Sequence, residues 1–247
     1  MFQQAPEISL ERISLAFAGK PLFHELNLRL AGGQTTCILG PSGCGKSTLL
    51  KLIAGVSPLH FSGDITFSSG LEQHPVAWMG QNDLLLPWLS LLDNVLLGPR
   101  LRRERTPEQD EKARELIQQA GLSGYESALP GTLSGGMRQR AALLRTLMEG
   151  RQILLMDEPF SALDALTRVR LQNLSAELTR GATVILVTHD PMEALRLGHR
   201  IIVLAGTPIA VVEELIPDTP PPREAGTTLL NTHYAHLLSL LMQGAPQ

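Results

Sequence analysis

Several features are scarce or missing in this 247-residue chain, and each absence excludes a kind of protein. Its two cysteines, Cys37 and Cys44, cannot build a disulfide framework, and their spacing matches no zinc motif. Residues 1–10 include a proline and an acid where a secretory leader would be basic and apolar. The longest apolar runs, such as residues 201–205, are far shorter than the ~18 residues that a membrane span needs. These absences predict a soluble, cytoplasmic protein that reaches a membrane only through a partner.

Charge and composition narrow the class further. The net charge is −3 and no block of lysine and arginine stands out, so a nucleic-acid surface has no electrostatic support. Hydrophobic residues make up 43% of the chain, enough to bury a sizeable core, although aromatic residues reach only 4%. At about 150 residues per domain, the length predicts one to two domains.

Short strand-like runs alternate with longer helical ones, which predicts an α/β core. The runs 152–156 and 183–187 are apolar without polar alternation, as expected of strands that are buried on both faces. The other predicted strands are 7–17, 26–30, 35–39 and 201–204, and helices are predicted over 47–54 and 133–147.

A helical segment interrupts this core between about residues 82 and 150. Within it, Thr106 and Gln109 form a capping-box pattern, Pro107 occupies the first helical position and Gly121 ends the helix. We therefore predict a core of about 1–82 and 151–216 with a helical subdomain of about 83–150.

A proline-rich linker and a C-terminal helix occupy the predicted tail, residues 217–247. Apolar residues recur there at helical spacing, which favours a packing or interface element over a cofactor site. They are Leu230, Tyr234, Leu237, Leu238 and Leu241.

The first chemical motif is the run GPSGCGKST at residues 40–48, which fits G-x-x-x-x-G-K-[ST] between a predicted strand and a predicted helix. Glycines allow successive backbone N–H groups to turn toward an anion, and the helix N-terminus adds positive potential. Lys46 can then reach the β- and γ-phosphates, and the Ser47 hydroxyl can ligate Mg²⁺. The predicted nucleotide-binding residues here are Gly40, Ser42, Gly43, Cys44, Gly45, Lys46, Ser47 and Thr48. Cys44, close to Lys46, is also a candidate for alkylation.

Two adjacent acids form the second motif, at the end of the run ILLMDEP over residues 153–159. A buried strand delivers both acids at its C-terminal end, where ligands of α/β proteins bind. Asp157 is placed to hold Mg²⁺, mainly through water. Glu158 can polarise an attacking water as a general base.

A serine and two glycines open the predicted helix after residue 133, in the run LSGGMRQ over 133–139. Ser134, Gly135 and Gly136 would make a second anion-binding helix terminus. Since the chain already has one phosphate loop, a second element that binds a γ-phosphate suggests contact with the nucleotide of a neighbouring subunit. The segment resembles the signature motif of ATP-binding cassette (ABC) ATPases, and the resemblance covers roughly residues 8–210.

That resemblance implies roles for further residues. Gln81 resembles the Q-loop glutamine, which contacts Mg²⁺ and links the site to the helical insert. His189 resembles the switch histidine at the γ-phosphate, and residues 161–164 resemble the D-loop at the dimer interface. Phe17 lies where the family places an aromatic residue against adenine.

The resemblance also implies the fold and the assembly. The fold would be a P-loop NTPase core with a mostly parallel sheet, an N-terminal antiparallel portion and a helical insert. Two copies would pair head to tail as a homodimer, with each ATP between Lys46 of one copy and Ser134 of the other. ATP and Mg²⁺ would be the ligands, and closure around ATP the mechanical output.

Two segments indicate what is moved. The runs DLLLPWLS at 83–90 and MDEPFSALDALTR at 156–168 resemble importer ATPases of the nitrate, sulfonate and taurine group, with relatives for thiamine-pyrimidine precursors. Trp88 lies where such proteins receive a helix of the membrane subunit, unless it packs the helical insert against the core. The resemblance therefore implies permease subunits, indirectly a solute-binding protein, and a peripheral position on the cytoplasmic face of the inner or plasma membrane.

Other functions remain open at this point. A soluble ABC ATPase that acts on nucleic acid or ribosomes is the main alternative, although the chain lacks the long insertions of such proteins and has an acidic balance. A small-molecule kinase is disfavoured by Ser134-Gly135-Gly136, and a purely regulatory nucleotide-binding module would show no turnover.

Overall fold

The computed structural model describes residues 5–17, 19–69, 75–224 and 228–243. Two compact units make up the chain. The first comprises the chain up to Val76, residues 152–157 and the chain from Thr179 onward. The second comprises residues 77–151 and 158–178.

Nine strands and eight α-helices are found among the described residues. The strands are β1 (Ile8–Phe17), β2 (Lys20–Leu30), β3 (Thr35–Leu39), β4 (Ser62–Phe67), β5 (Val76–Met79), β6 (Ile153–Asp157), β7 (Thr183–Thr188), β8 (Arg200–Ala205) and β9 (Ala210–Leu215). The helices are α1 (Lys46–Ile53), α2 (Leu91–Val95), α3 (Leu97–Leu101), α4 (Pro107–Gln119), α5 (Gly135–Met148), α6 (Ala165–Leu178), α7 (Pro191–Leu197) and α8 (Thr228–Gln243).

The first unit contains two kinds of sheet. Strands β2, β1 and β4 form an antiparallel sheet in that order. The larger sheet runs β6-β7-β3-β8-β9, in which every neighbouring pair is parallel except β8 and β9. The α/β class, the mostly parallel sheet and the N-terminal antiparallel portion are thereby confirmed.

Strands β6 and β7 are buried at every residue, as their uninterrupted apolar sequences predict. Strand β2 begins six residues before the predicted start at residue 26, because its pairing with β1 continues to Lys20 opposite Phe17. Cross-strand pairing thus extends the strand through residues 20–25, where a proline and charged residues weaken the strand signal of the sequence.

The tail packs on the first unit. Arg223 is 6% exposed and donates hydrogen bonds to the carbonyl oxygens of Leu195 and Gly198, at 2.7 and 2.8 Å. These carbonyls belong to the C-terminal end of α7, which cannot pair them within the helix. Leu230 and Leu237 of α8 are also buried, which supports a packing role for the tail helix.

The second unit is helical and is organised around α5, which packs against α2, α3 and α4. The predicted capping box is present: the Thr106 hydroxyl accepts from the Gln109 N–H at 3.4 Å, and the Gln109 side chain accepts from the Thr106 N–H at 3.3 Å. Pro107 is the first residue of α4, and Gly121 follows the helix with φ +66°. No helix in the described ranges is long and apolar enough to cross a membrane.

Residues 158–178 belong to the helical unit in the structure, whereas the sequence places them in the predicted core of residues 1–82 and 151–216. The physical reason is that the segment after Glu158 is hydrogen-bonded to Gln139 of α5. The predicted domain limits of 1–216 and 217–247 remain a prediction, and their ends at residues 1–4 and 244–247 lie outside the described residues.

Candidate active site

The phosphate loop connects β3 to α1 within the first unit. Gly43 and Gly45 have φ of +78° and +88°, a conformation that side chains disfavour. A Cβ at Gly45 would also lie 3.0 Å from Ile209 Cδ1, which adds a close contact to the strain of the positive φ. Gly45 is the N-cap of α1 and has no side chain to cap it, so the first N–H groups of the helix suit an anion.

Lys46 is buried inside this loop with only 5% of its surface exposed. Its Nζ donates to the carbonyl oxygens of Gly40 and Pro41, both at 2.7 Å. The ammonium is therefore held among the loop's backbone groups, where a bound phosphate would take over part of its hydrogen bonding. Ser47 and Thr48 follow in the first turn of α1, both partly buried.

Three adjacent parallel strands bring the other predicted groups of the first unit to the same sheet edge. Leu39 of β3 pairs with Thr188 of β7, and Asp157 of β6 pairs with Val187 of β7, so the strands end at one level. Asp157 is 4% exposed at this edge, and the exposed His189 directly follows β7. The structure thus places Lys46, Asp157 and His189 at the carboxyl edge of one sheet, the usual ligand position.

Phe17 ends β1 and has 64% of its surface exposed. It pairs with Lys20 across the hairpin. The same hairpin reaches the phosphate loop, because a Cβ at Gly45 would lie 3.2 Å from the Leu22 side chain. An exposed aromatic ring therefore lies on a hairpin that contacts the phosphate loop.

In the second unit, Ser134 is the N-cap of α5, and its hydroxyl accepts from the Met137 N–H at 3.3 Å. Ser134 and Gly135 are exposed, and a Cβ at Gly135 would meet no atom within 4 Å. A Cβ at Gly136 would lie 3.1 Å from the Ala162 carbonyl oxygen. The helix terminus is thus open on one side and lies against residue 162 on the other.

Glu158 is partly buried and has φ +50°, in the left-handed region that a non-glycine residue rarely adopts. Its carbonyl oxygen accepts from Gln139 Nε2 at 3.0 Å and from the Ser161 hydroxyl at 3.1 Å. The carbonyl group on the C-terminal side of the predicted base is therefore held by two side-chain hydrogen bonds.

Gln81 is exposed, just after β5, and the segment that follows it is fixed from within the second unit. Arg145 of α5 donates to the carbonyl oxygens of Asp83 and Leu84, at 2.7 and 2.8 Å. Arg138 pairs with the Asp83 carboxylate at 3.0 Å.

Asn94 holds the next part of this segment. It is fully buried, accepts from the Leu86 N–H at 2.8 Å, and donates to the carbonyl oxygens of Leu86, Leu89 and Ser90 at 3.0–3.1 Å. Trp88, in the middle of the segment, nevertheless has 72% of its surface exposed. A rigid backbone thus presents an exposed indole ring.

Comparison with known proteins shows the family to which the chain belongs. Residues 23–161 match the ABC transporter family. This chain belongs to the ABC transporter family. Like the family, the protein binds ATP and hydrolyses it.

Relatives of this ABC ATPase align along almost their whole length. An uncharacterized ABC transporter ATP-binding protein of Haemophilus influenzae is 41% identical over 240 residues, 96% of each chain. The aliphatic sulfonates import ATP-binding protein SsuB 2 of Burkholderia cenocepacia is 40% identical over 238 residues, 94% of this chain and 86% of the relative.

A solved structure similar to this ABC ATPase is an ATP-binding cassette described as a dimer in a post-hydrolysis state, bound to ADP and Pi. It is 29% identical, covers 88% of this chain and 99% of its own, and superposes with a TM-score of 0.72. The fold expected from the motifs is therefore confirmed.

The cysteines of the ABC ATPase differ from the sequence-based expectation for Cys44. Burial raises the pKa of the Cys44 thiol, although the nearby Lys46 lowers it in part. Cys37 is completely buried, and desolvation raises its pKa much further. Proximity to Lys46 therefore does not make Cys44 an activated thiol, because desolvation of the thiolate outweighs the charge.

Sequence reasoning missed three residues that shape the second unit of the ABC ATPase: Asn94, Gln139 and Arg145. Each bonds to backbone groups of another segment, so no local spacing marks it. For Gln139 the sequence offers only a weak signal, its position five residues after Ser134. The structure shows that this polar side chain is only 9% exposed.

Proposed function

We propose that this chain is the ATP-hydrolysing subunit of an ABC importer that energises uptake of a small solute through a membrane permease. The observation that carries the proposal is the exposed Trp88 on a backbone that Asn94 and Arg145 hold in place. An exposed aromatic ring on a fixed segment suits a permanent protein partner, since little ordering entropy is lost on docking.

The solute class follows from the relatives and from the segments 83–90 and 156–168. Close relatives at about 40% identity are named as importers of aliphatic sulfonates. We place the solute in the nitrate, sulfonate or taurine type, with pyrimidine precursors as the neighbouring class. Selection of the solute itself belongs to the permease and to a solute-binding protein, with which this chain interacts only indirectly.

The first unit supplies the nucleotide site in this proposal. The loop N–H groups and Lys46 bind the β- and γ-phosphates, and Thr48 adds a hydroxyl near the α-phosphate. Phe17 stacks on the adenine ring, and His189 contacts the γ-phosphate at the sheet edge.

Mg²⁺ fits the oxygen donors at this edge. The Ser47 hydroxyl and the nearly buried Asp157 carboxylate are hard ligands, and the family resemblance adds the amide oxygen of Gln81. Mg²⁺ characteristically takes one or two protein carboxylates and completes its shell with water and substrate phosphates. When bound, the ion supplies neutralisation of charge on the phosphates.

Glu158 is the general base in this scheme and accepts a proton from the water that attacks the γ-phosphate. Two chains form a head-to-tail homodimer, in which Ser134, Gly135 and Gly136 of one copy bind the γ-phosphate held by Lys46 of the other. Closure around ATP and opening after hydrolysis then move the permease. The chain therefore works as a peripheral protein on the cytoplasmic face of the inner or plasma membrane.

The experiment is a pull-down from detergent-solubilised native membranes with tagged Glu158→Gln protein and ATP, read out by mass spectrometry. We expect one polytopic membrane protein with the E158Q chain and its loss with E158Q/W88A. The control E158Q/L101A removes another exposed apolar side chain of the second unit, Leu101, and should retain the partner.

Recovery of only soluble or nucleic-acid-associated proteins would overturn the importer role and leave the ATPase chemistry intact. Equal recovery with and without Trp88 would overturn the assigned docking segment. Wild-type turnover by E158Q would overturn the assignment of the general base.

A further inference from the structure

The backbone at Glu158 requires an external restraint. With φ +50° it occupies the left-handed region, where the Cβ crowds the following carbonyl oxygen. A residue in this conformation persists only when its surroundings hold it there. The direction of the Glu158 side chain depends on that conformation, because the Cα–Cβ bond turns with the backbone.

Gln139 supplies hydrogen bonds at both ends of the turn that follows. Its Nε2 donates to the Glu158 carbonyl oxygen at 3.0 Å and to the Ser161 hydroxyl at 3.2 Å. Its Oε1 accepts from the Ala162 N–H at 2.8 Å. One nearly buried amide thus bridges residues 158 and 162, using its donor and its acceptor together.

The same helix places Gln139 beside the open terminus of α5. Gly136, one helical turn earlier, lies against the Ala162 carbonyl oxygen, where a Cβ would be at 3.1 Å. Positions three residues apart share a helix face, so Gly136 and Gln139 both lie against the turn 158–162. The Ser134-Gly135-Gly136 terminus and the Glu158 turn are therefore joined through one face of α5.

We infer that Gln139 is a positioning residue for the Glu158 carboxylate: its amide fixes the turn 158–162 to the helix that begins at Ser134-Gly135-Gly136. This inference rests on the proposed role of Glu158 as general base. Gln139 itself does not touch the reacting atoms; it holds the conformation from which Glu158 reaches the water.

The test is Gln139→Met, which keeps the length of the side chain and removes its donor and its acceptor. We expect kcat for ATP hydrolysis by the purified full chain to fall about 10- to 100-fold, while KM for ATP changes less than about threefold, because the substitution leaves the phosphate loop and the exposed α5 terminus unchanged. Gln139→Glu retains an acceptor for the Ala162 N–H but faces the Glu158 carbonyl oxygen with a carboxylate, so its kcat should also fall.

Two further measurements separate positioning from general stability. Gln109→Ala removes one of the two capping-box hydrogen bonds of α4, in the same unit, and should leave kcat within about twofold. Hydrogen exchange of the Ala162 amide should accelerate in Q139M and stay unchanged in Q109A, and this readout does not depend on turnover.

A double variant distinguishes this inference from the proposed function. In the E158Q background, Q139M should lower the residual rate no further, because the two residues act as one unit. If E158Q has lost turnover but Q139M keeps wild-type kcat, or if the two losses multiply, the inference is wrong and the base assignment stands. If E158Q turns over at the wild-type rate, the base assignment fails first, and the positioning role fails with it.

Discussion

The two units of this ABC ATPase organise their functional groups by different physical means. In the first unit, strand ends and a glycine loop position the functional groups. Lys46 bonds to carbonyl oxygens five and six residues before it, and sheet register places Asp157 beside the end of β7. In the second unit, side chains of α5 and α2 bond to the backbone of other segments, as Gln139 does with Glu158 and Asn94 with Leu86. Local motifs therefore describe the first unit well and the second unit poorly.

The difference also affects how each unit tolerates change. Backbone groups at a strand end survive most substitutions, because every residue carries them. A buried amide that holds four hydrogen bonds is lost with a single substitution, and the groups that only this amide pairs are left unsatisfied. The first unit should thus fail mainly through its few charged or glycine residues, and the second mainly through buried polar side chains.

The largest effect is expected in the first unit. Lys46→Ala should weaken ATP binding at least about 100-fold, since an ammonium with charge-assisted bonds to phosphate contributes several kcal/mol in a sheltered loop. Isothermal titration with ATP and Mg²⁺ measures this directly. Lys51→Ala, an exposed lysine of the same helix, is the matched control and should bind normally. Unchanged affinity in K46A would remove the phosphate-loop role.

A substitution of intermediate effect should lower the stability of the second unit without changing ATP binding by the first. Asn94→Ala leaves the Leu86 N–H and the Leu89 carbonyl oxygen unpaired, while the Leu86 and Ser90 carbonyl oxygens keep a backbone N–H partner, so the free energy of unfolding should fall by about 2–4 kcal/mol. Urea unfolding measures the loss. ATP affinity per folded molecule should stay within about twofold, because the phosphate loop lies in the other unit.

The prediction for Asn94 also has a control within its helix. Asp93→Ala removes a partly exposed carboxylate beside it and should cost much less stability. If N94A and D93A destabilise equally, side-chain bonds do not hold the Trp88 segment, and the contrast between the units disappears.

The smallest effect concerns Cys44 and its pH dependence. Its thiol pKa is raised by burial, so the thiolate that reacts with iodoacetamide is scarce at neutral pH. Labelling at pH 7.5 should be slower than for an unperturbed cysteine and should rise about tenfold per pH unit until the raised pKa is reached. Mass spectrometry locates the label, and Cys44→Ser supplies the blank.

The effect of ATP on this labelling tests the Cys44 prediction and the Lys46 prediction together. ATP should slow the labelling of Cys44 in the wild type but not in K46A, because the thiol belongs to the phosphate loop. Labelling at neutral pH as fast as an accessible model thiol would contradict the dominance of desolvation at this site.

Much of the fold could be predicted from sequence where the signal is local. Strand β3 matches its prediction at both ends, and β6, β7 and β8 match within one residue at each end. Helix α5 begins at Gly135 and not at residue 133, because Ser134 serves as its N-cap. Strands β4, β5 and β9 and helices α6 and α7 were not predicted. Helix α6 in particular shows no clear apolar face.

The candidate site divides in the same way. Loop residues such as Gly45 and Lys46 are marked by spacing alone, since the anion-binding geometry is made within one turn of chain. Asn94 and Arg145 lie in no motif, and Gln139 ends the run 133–139 without any sign of its partners, because these are backbone groups of distant segments that any sequence provides. The roles of the predicted site residues remain predictions, which the experiments above address.

By itself, the sequence determined the class of sheet, the phosphate loop and the order of the motifs, because apolar runs and glycine spacing act over a few neighbouring residues. Only the tertiary structure decided which backbone groups the buried amides and guanidinium groups bind, and that Glu158 takes a left-handed conformation tied to α5. Hydrogen bonds between distant segments depend on where the chain returns in space, and that position is set by the packing of the whole unit.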